Sequence, residues 1–279
     1  MSLISPEELL QRIDDPRLRL ADVRWWLSDP DRGRRDYADA HLPGAVFVDV
    51  DADLVGTSGP GRHPLPSPTT FTARMASLGF GDEDTIVAYD DAGGTIAARL
   101  WWMLDVLGHP DVSVLDGGIQ EWSAIGGPLT NVAPDYPPAT LSLRDAWSRT
   151  IDRETLSQRL GSVSVLDGRE AARYRGDEEP IDPVAGHIPT ARSLPTESNL
   201  GADGRLLPPS ILRERFEGLE TEVVTSCGSG VTACHHALAM RVAGLPDPIL
   251  YPGSFSDWSR TGMPIATGDA PGAPDSSTT

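Results

Sequence analysis

The chain has 279 residues and a formal net charge of −18, and all 23 of its basic residues are arginine. This acidic balance argues against nucleic acid or an anionic membrane as a partner, because phosphate contacts require a positive surface. Apolar runs stay shorter than the roughly 18 residues of a membrane span, and residues 1–8 lack the basic start of a signal peptide, so we expect a cytoplasmic protein.

Strand and helix patterns alternate through the first half of the chain. A helix is predicted to begin after Ser5, a capping residue followed by Pro6 and two glutamates. Short apolar runs predict strands at 18–23, 46–48, 85–89 and 112–115. This alternation is typical of an α/β fold with a parallel sheet.

The second half repeats the motifs of the first at offsets of 136 to 146 residues. The matching segments are Asp-Val-Arg at 22–24 with Asp-Gly-Arg at 167–169, His-Leu-Pro-Gly-Ala at 41–45 with His-Ile-Pro-Thr-Ala at 187–191, and Gly-Thr-Ile-Ala at 94–97 with Gly-Val-Thr-Ala at 230–233. So long a period excludes a solenoid and indicates a duplicated domain. His41 and His187 occur in both copies, which favours a role in the fold.

Composition suggests where the two domains end. We predict domains at 1–130 and 151–266, and a second-domain helix that begins after Asp152. A linker at 131–150 is indicated by Pro134, Pro137 and Pro138, which suit a stiff connector. The tail at 267–279 is rich in Gly, Pro, Ser and Thr and is predicted to be disordered.

Cys227 follows a short apolar strand and begins the loop Cys-Gly-Ser-Gly-Val-Thr, after which a helix is predicted. Loop amides and a helix N-terminus stabilise an anion, so this position suits a nucleophilic thiolate. Cys234 lies in an apolar helical pattern and is expected in the core. With only two cysteines, a disulfide framework is implausible and a reducing compartment is favoured.

The first copy has no cysteine at the corresponding point. Matching Gly94 with Gly230 places Asp91 opposite Cys227. Only the second copy can therefore carry sulfur chemistry, and Asp91 is expected to be structural.

The duplicated domain, the Cys227 loop, Gly-His-Ile-Pro at 186–189 and Tyr-Pro-Gly-Ser-Phe-Ser-Asp-Trp at 251–258 resemble the tandem rhodanese sulfurtransferases. The resemblance implies two α/β domains, each a parallel sheet flanked by helices. It also implies a catalytic cysteine in the C-terminal copy alone.

The resemblance further implies a sulfurtransferase that carries sulfur as a Cys227 persulfide. Members that use 3-mercaptopyruvate typically follow the cysteine with Gly-Ser, as here, and members that use thiosulfate typically follow it with Arg-Lys. The expected donor is 3-mercaptopyruvate, with thiosulfate as the alternative. Expected acceptors are cyanide, a small thiol or thioredoxin.

Site residues are implied in the same way. The donor would be bound by Arg173 and by the loop Gly228, Ser229, Gly230, Val231 and Thr232. Ser229 would act with a histidine and an aspartate of the first domain, for which His63 and Asp51 are the candidates and Asp49 is an alternative to Asp51. A second arginine, common in the family shortly before 186–189, has no counterpart at 179–183.

Two other classes of protein fit these residues less well. A cysteine phosphatase needs an arginine six residues after the cysteine, where this chain has Ala233. A non-catalytic sulfur-binding module is disfavoured by the intact Cys227 loop. No metal is expected, since Cys234, His235 and His236 are contiguous on one helix and cannot converge on one ion. No cofactor is expected, since the sequence has no phosphate-binding glycine loop with lysine.

Overall fold

The computed structural model describes residues 2–220 and 222–274, so the end of the predicted tail, 275–279, lies outside the described residues. The chain divides into two compact units. Unit 1 comprises 2–55, 66–148 and 200–207, and unit 2 comprises 56–65, 149–199 and the described residues from 208 onward.

Unit 1 contains a five-stranded parallel sheet in the order β1-β5-β4-β2-β3. Its strands are β1 Leu3–Ile4, β2 Leu18–Asp22, β3 Ala45–Phe47, β4 Thr85–Tyr89 and β5 Val112–Leu115. Its helices are α1 Pro6–Arg12, α2 Arg32–Asp39, α3 Val50–Asp53, α4 Pro68–Ser77, α5 Ala97–Val106 and α6 Gly118–Ala124.

Local signals explain several of these elements. Ser5 caps α1 with a complete capping box. The Ser5 hydroxyl accepts the Glu8 N–H, and the Glu8 carboxylate accepts the Ser5 N–H. The predicted helix start is confirmed. Every residue of β4 and β5 is buried. Continuous burial is expected for parallel strands covered on both faces.

Unit 2 contains a four-stranded parallel sheet in the order β7-β6-β8-β9. Its strands are β6 Ser164–Asp167, β7 Ala191–Ser193, β8 Val223–Ser226 and β9 Ile249–Leu250. Its helices are α7 Arg153–Arg159, α8 Ala171–Arg175, α9 Pro209–Arg215, α10 Ala233–Val242 and α11 Ser254–Trp258, with a 3-10 turn at Thr196–Asn199. The Asp152 side chain accepts the Thr155 N–H and caps α7 as predicted.

Both units therefore have the α/β architecture that the sequence predicts, a parallel sheet flanked by helices. The sequence repeat also has matching contacts. The buried pair Asp22 and Arg24 shows the same bidentate geometry as Asp167 and Arg169, with a shortest N–O distance of 2.7 Å in each.

His41 and His187 hold corresponding places in the two units. His41 stacks on Tyr37 at a centroid distance of 3.9 Å, and its Nδ1 lies 2.7 Å from the Tyr37 carbonyl oxygen. His187 repeats this arrangement on Tyr174, at 3.7 Å and 2.8 Å. These contacts fit the predicted role of both histidines in the fold.

Each unit includes a short segment from the other half of the sequence. Residues 56–65, which the predicted boundaries place in the first domain, are grouped with unit 2, and 200–207 are grouped with unit 1. The first segment forms a closed loop in which the Gly56 N–H donates to the Pro64 carbonyl. Contiguous ranges read from composition cannot reveal such an exchange.

The proline-rich stretch after 130, predicted to be a linker, belongs to unit 1 as far as residue 148. The Ala139 N–H donates to the Ala76 carbonyl of α4, and the Trp147 indole N–H donates to the Pro66 carbonyl at 2.8 Å. None of the helices in the described ranges is long and apolar enough to cross a membrane.

Candidate active site

Cys227 is the first residue after β8, and the loop 228–232 connects it to α10. Its side chain is buried, and its Sγ accepts the Gly230 N–H at 3.1 Å. Gly230 has a φ of +79°, and a Cβ there would lie 2.4 Å from the Pro252 carbonyl oxygen. Only glycine permits this turn, which directs a backbone N–H at the sulfur.

The segment 251–258 makes hydrogen bonds with the backbone of Cys227. The Cys227 N–H donates to the Ser254 Oγ at 3.1 Å, and the Phe255 N–H donates to the Cys227 carbonyl at 3.0 Å. Ser254 itself adopts a left-handed backbone with a φ of +52°. Non-glycine residues rarely adopt this conformation, so the surrounding contacts hold Ser254 in place for its hydroxyl to accept the Cys227 N–H.

His63 lies within unit 2, and its Nδ1 is 2.7 Å from the Ser229 Oγ. Both side chains are buried. The neighbouring Arg62 N–H donates to the Ser256 Oγ at 3.0 Å, which fixes the histidine loop to α11. The structure thus brings together Cys227, Ser229 and His63 in one unit.

Asp51 and Asp49 belong to unit 1. The Asp51 carboxylate accepts the Trp25 indole N–H at 2.9 Å. Asp49 is the N-cap of α3, accepting the N–H groups of Asp51 and Ala52, and it also pairs with Arg34. Asp49 is therefore used in capping and Asp51 in a contact with Trp25, and the pairing of either aspartate with His63 stays a prediction.

Arg173 projects from α8 toward the cysteine loop. A Cβ built on Gly228 would lie 3.6 Å from the Arg173 Nη1. The Arg173 side chain is 14% exposed and pairs with Glu179 at 2.7 Å and Asp182 at 3.4 Å. Arg173 is therefore not a solvated surface arginine. That description fits Arg175 better, because its side chain is 34% exposed and pairs with Asp177.

Two residues near the loop were missed by the sequence reasoning. The Arg62 Nη2 would lie 3.0 Å from a Cβ on Gly228, and Asp182 accepts hydrogen bonds from Arg62, Arg173 and Arg260. Arg62 could have been noticed because it precedes the candidate His63. Asp182 had no comparable sequence signal.

The loop of unit 1 corrects the alignment of the two copies. Tyr89 of β4 pairs with Asp22 as Ser226 of β8 pairs with Asp167, so the residue opposite Cys227 is Asp90 and not Asp91. The shift arises because the loop from Asp90 to α5 is one residue longer than the loop from Cys227 to α10.

The Asp90 carboxylate accepts hydrogen bonds from the backbone of its own loop. Its Oδ1 accepts the N–H groups of Ala92 and Gly94, and its Oδ2 accepts those of Ile96 and Ala97, at 2.8 to 2.9 Å. In unit 1 the Asp90 carboxylate thus lies where these loop N–H groups converge. In unit 2 the cysteine sulfur takes the corresponding position.

The other thiol and the two helical histidines lie inside unit 2. Cys234 is fully buried in α10, with its Sγ 3.5 Å from the Gly230 carbonyl oxygen. Burial lowers the pKa of His236 to about 4, so its imidazole is neutral. No group of residues suited to hold a metal ion occurs within 2–220 and 222–274.

Two parallel α/β units, only one of which presents a cysteine in its amide-lined loop, define a duplicated domain with one sulfur site. The chain belongs to the rhodanese-like family: the model of the rhodanese-like domain matches residues 5–125 and 152–261. The family resemblance inferred from the sequence is confirmed.

Similar proteins extend over nearly the whole chain. A Pseudomonas aeruginosa protein named probable 3-mercaptopyruvate sulfurtransferase is 43% identical, covering 96% of this chain and 98% of its own length. The rat thiosulfate sulfurtransferase is 34% identical, with coverage of 89% and 87%. The solved structure of 3-mercaptopyruvate sulfurtransferase from Leishmania major has a TM-score of 0.83 and 30% identity, covering 94% of this chain and 75% of its own.

Proposed function

We propose that this protein is a sulfurtransferase that takes sulfur from 3-mercaptopyruvate as a Cys227 persulfide and passes it to a thiol or cyanide. The observation that carries the proposal is the buried Cys227 Sγ, which accepts the Gly230 N–H in a loop beside the Arg173 guanidinium. The relatives support it, because they are named for sulfur transfer from 3-mercaptopyruvate or thiosulfate.

In the first half-reaction the Cys227 thiolate attacks the donor sulfur. The new S–S bond forms as the donor C–S bond breaks, and that electron pair leaves on carbon as pyruvate enolate. The enolate takes up one proton and becomes pyruvate. The loop amide of Gly230 stabilises the Cys227 thiolate before its attack.

Ser229 and His63 would carry the proton in this step. The 2.7 Å contact between His63 Nδ1 and Ser229 Oγ allows a proton to pass from imidazole through hydroxyl to the enolate carbon. Histidine suits this task because its ordinary pKa lies near neutrality. Asp51 is proposed to orient His63 in this relay.

In the second half-reaction an acceptor attacks the outer sulfur of the persulfide, and Cys227 leaves as a thiolate. Cyanide would give thiocyanate, and a thiol would give a new persulfide. Reduced thioredoxin is a further proposed acceptor, and we propose the cytoplasm as the site of action. Release of pyruvate before the acceptor binds predicts ping-pong kinetics.

Thiosulfate is the second candidate donor. The observation in its favour is the arginine content around the loop, where Arg62 and Arg173 both approach Gly228. Cations near the loop suit a dianion, and a relative of 34% identity is named for thiosulfate.

The test compares kcat/KM for 3-mercaptopyruvate and thiosulfate with cyanide as the common acceptor. We expect a strong preference for 3-mercaptopyruvate. Intact-protein mass spectrometry should show one added sulfur atom on the wild type and on Cys234→Ser, and none on Cys227→Ser. Sulfur gained by Cys227→Ser, or no turnover of either donor, would overturn the proposal, and the latter would favour a binding module.

A further inference from the structure

The guanidinium of Arg62 faces the cysteine loop with one edge uncommitted. Its Nη1 donates to Asp182, its Nη2 would lie 3.0 Å from a Cβ built on Gly228, and its Nε is buried with no hydrogen-bond partner among the residues that the structure describes. The Nε and Nη2 donors lie side by side on a guanidinium. This is the edge that binds a carboxylate with two parallel hydrogen bonds.

The Asp182 carboxylate pairs with Arg62 and with two neighbouring arginines. Its carboxylate is 0% exposed and accepts from Arg62, from Arg260 at 3.0 Å and from Arg173 at 3.4 Å. Its own N–H donates to the Glu179 carboxylate at 3.0 Å, which fixes the backbone that carries it. Without this carboxylate the neighbouring guanidinium groups would repel each other.

We propose that Arg62 is a second donor-binding residue, whose Nε–Nη2 edge binds the carboxylate of a small α-keto acid, and that Asp182 is the residue that positions it. The inference rests on the proposed function and names the group that binds the carboxylate of its donor.

The test compares Arg62→Met with the wild type on 3-mercaptopyruvate and on its neutral amide, 3-mercaptopyruvamide. We expect kcat/KM for the keto acid to fall about 10-fold or more through KM, because a charge-assisted bidentate contact is lost, and kcat/KM for the amide to change less than about twofold. Arg175→Met, on the same helix as Arg173, is the matched control and should change neither.

Equal losses on both donors, or no loss on either, would overturn the role of Arg62. Calorimetric binding of pyruvate to Cys227→Ser, with and without Arg62→Met, tests the site without turnover, and a loss of affinity of about 10-fold is expected. Arg62-dependent pyruvate binding to Cys227→Ser, together with a wild-type protein that forms no persulfide, would refute the proposed function alone. Pyruvate binding that ignores Arg62 would refute this inference alone.

Asp182→Asn tests the positioning role. We expect KM for 3-mercaptopyruvate to rise several-fold with kcat nearly unchanged, and Asp182→Glu to restore part of the affinity. A fall in kcat at constant KM would contradict it. Circular dichroism and the melting temperature identify a variant that fails to fold. In that case Arg62→Lys decides whether bidentate geometry matters, because lysine keeps the positive charge but cannot donate two parallel hydrogen bonds.

Discussion

The His63 Nδ1 lies 2.7 Å from the Ser229 Oγ although 166 residues separate them in the chain. Both residues belong to unit 2, because the segment 56–65 is grouped with that unit. The histidine loop is fixed by the hydrogen bond from the Arg62 N–H to the Ser256 Oγ. A short buried contact of this kind indicates a pair that works together.

We expect Ser229→Ala and His63→Gln each to lower kcat/KM for 3-mercaptopyruvate by about 100-fold, since each removes one member of a proton relay. The double variant should be no more than about threefold worse than the poorer single variant, because the two residues act as a unit. Steady-state kinetics with cyanide as acceptor measures all four proteins.

Multiplication of the two single effects in the double variant would contradict a shared relay. Melting temperatures within about 3 °C of the wild type would show that the losses are not caused by unfolding.

Gly230→Ala should abolish persulfide formation. A Cβ at this position would lie 2.4 Å from the Pro252 carbonyl oxygen on a backbone with a φ of +79°, so the loop must move and the N–H that faces Cys227 Sγ moves with it. Gly262→Ala is the matched control, because its φ is +70° but a Cβ there would meet nothing within 4 Å. Mass spectrometry after incubation with 3-mercaptopyruvate gives the readout, and sulfur uptake by Gly230→Ala equal to that of the control would refute the role of the loop amide.

Asp91→Asn should stabilise the protein at neutral pH. Burial, and then the neighbouring Asp90 charge, raise the pKa of Asp91 to about 6 in the folded chain, from an ordinary value of 3.8. The folded state therefore binds this proton more tightly. Its contribution to stability is present below pH 3.8 and is lost as the pH rises through 6.

Because the Asp91 side chain is partly exposed, we expect Asp91→Asn to gain about 1–2 kcal/mol at pH 7.5 and less at pH 4.5. Urea unfolding midpoints of the two proteins at both pH values provide the measurement. A difference that is the same at pH 4.5 and 7.5 would contradict the raised pKa.

Sequence patterns predicted the elements whose causes are local. The start of α1 at Ser5 and the strands β4 and β5 agree with the prediction residue for residue, because a capping box and a continuous apolar run act within a few positions. The predicted strand 46–48 is shifted by one residue from β3, Ala45–Phe47. Pairing with β2 decides that end, and it is not a local property.

The chemistry of the site divides in the same way. The strand, loop and helix around Cys227 are contiguous, so the sequence by itself determined the candidate nucleophile and its glycine-bounded loop. Only the tertiary structure decided that Asp90 lies opposite Cys227, that the His63 segment joins unit 2, and that Asp182 gathers three arginines. Strand pairing and buried ion pairs join residues far apart in the chain, and such contacts leave no periodic pattern along it.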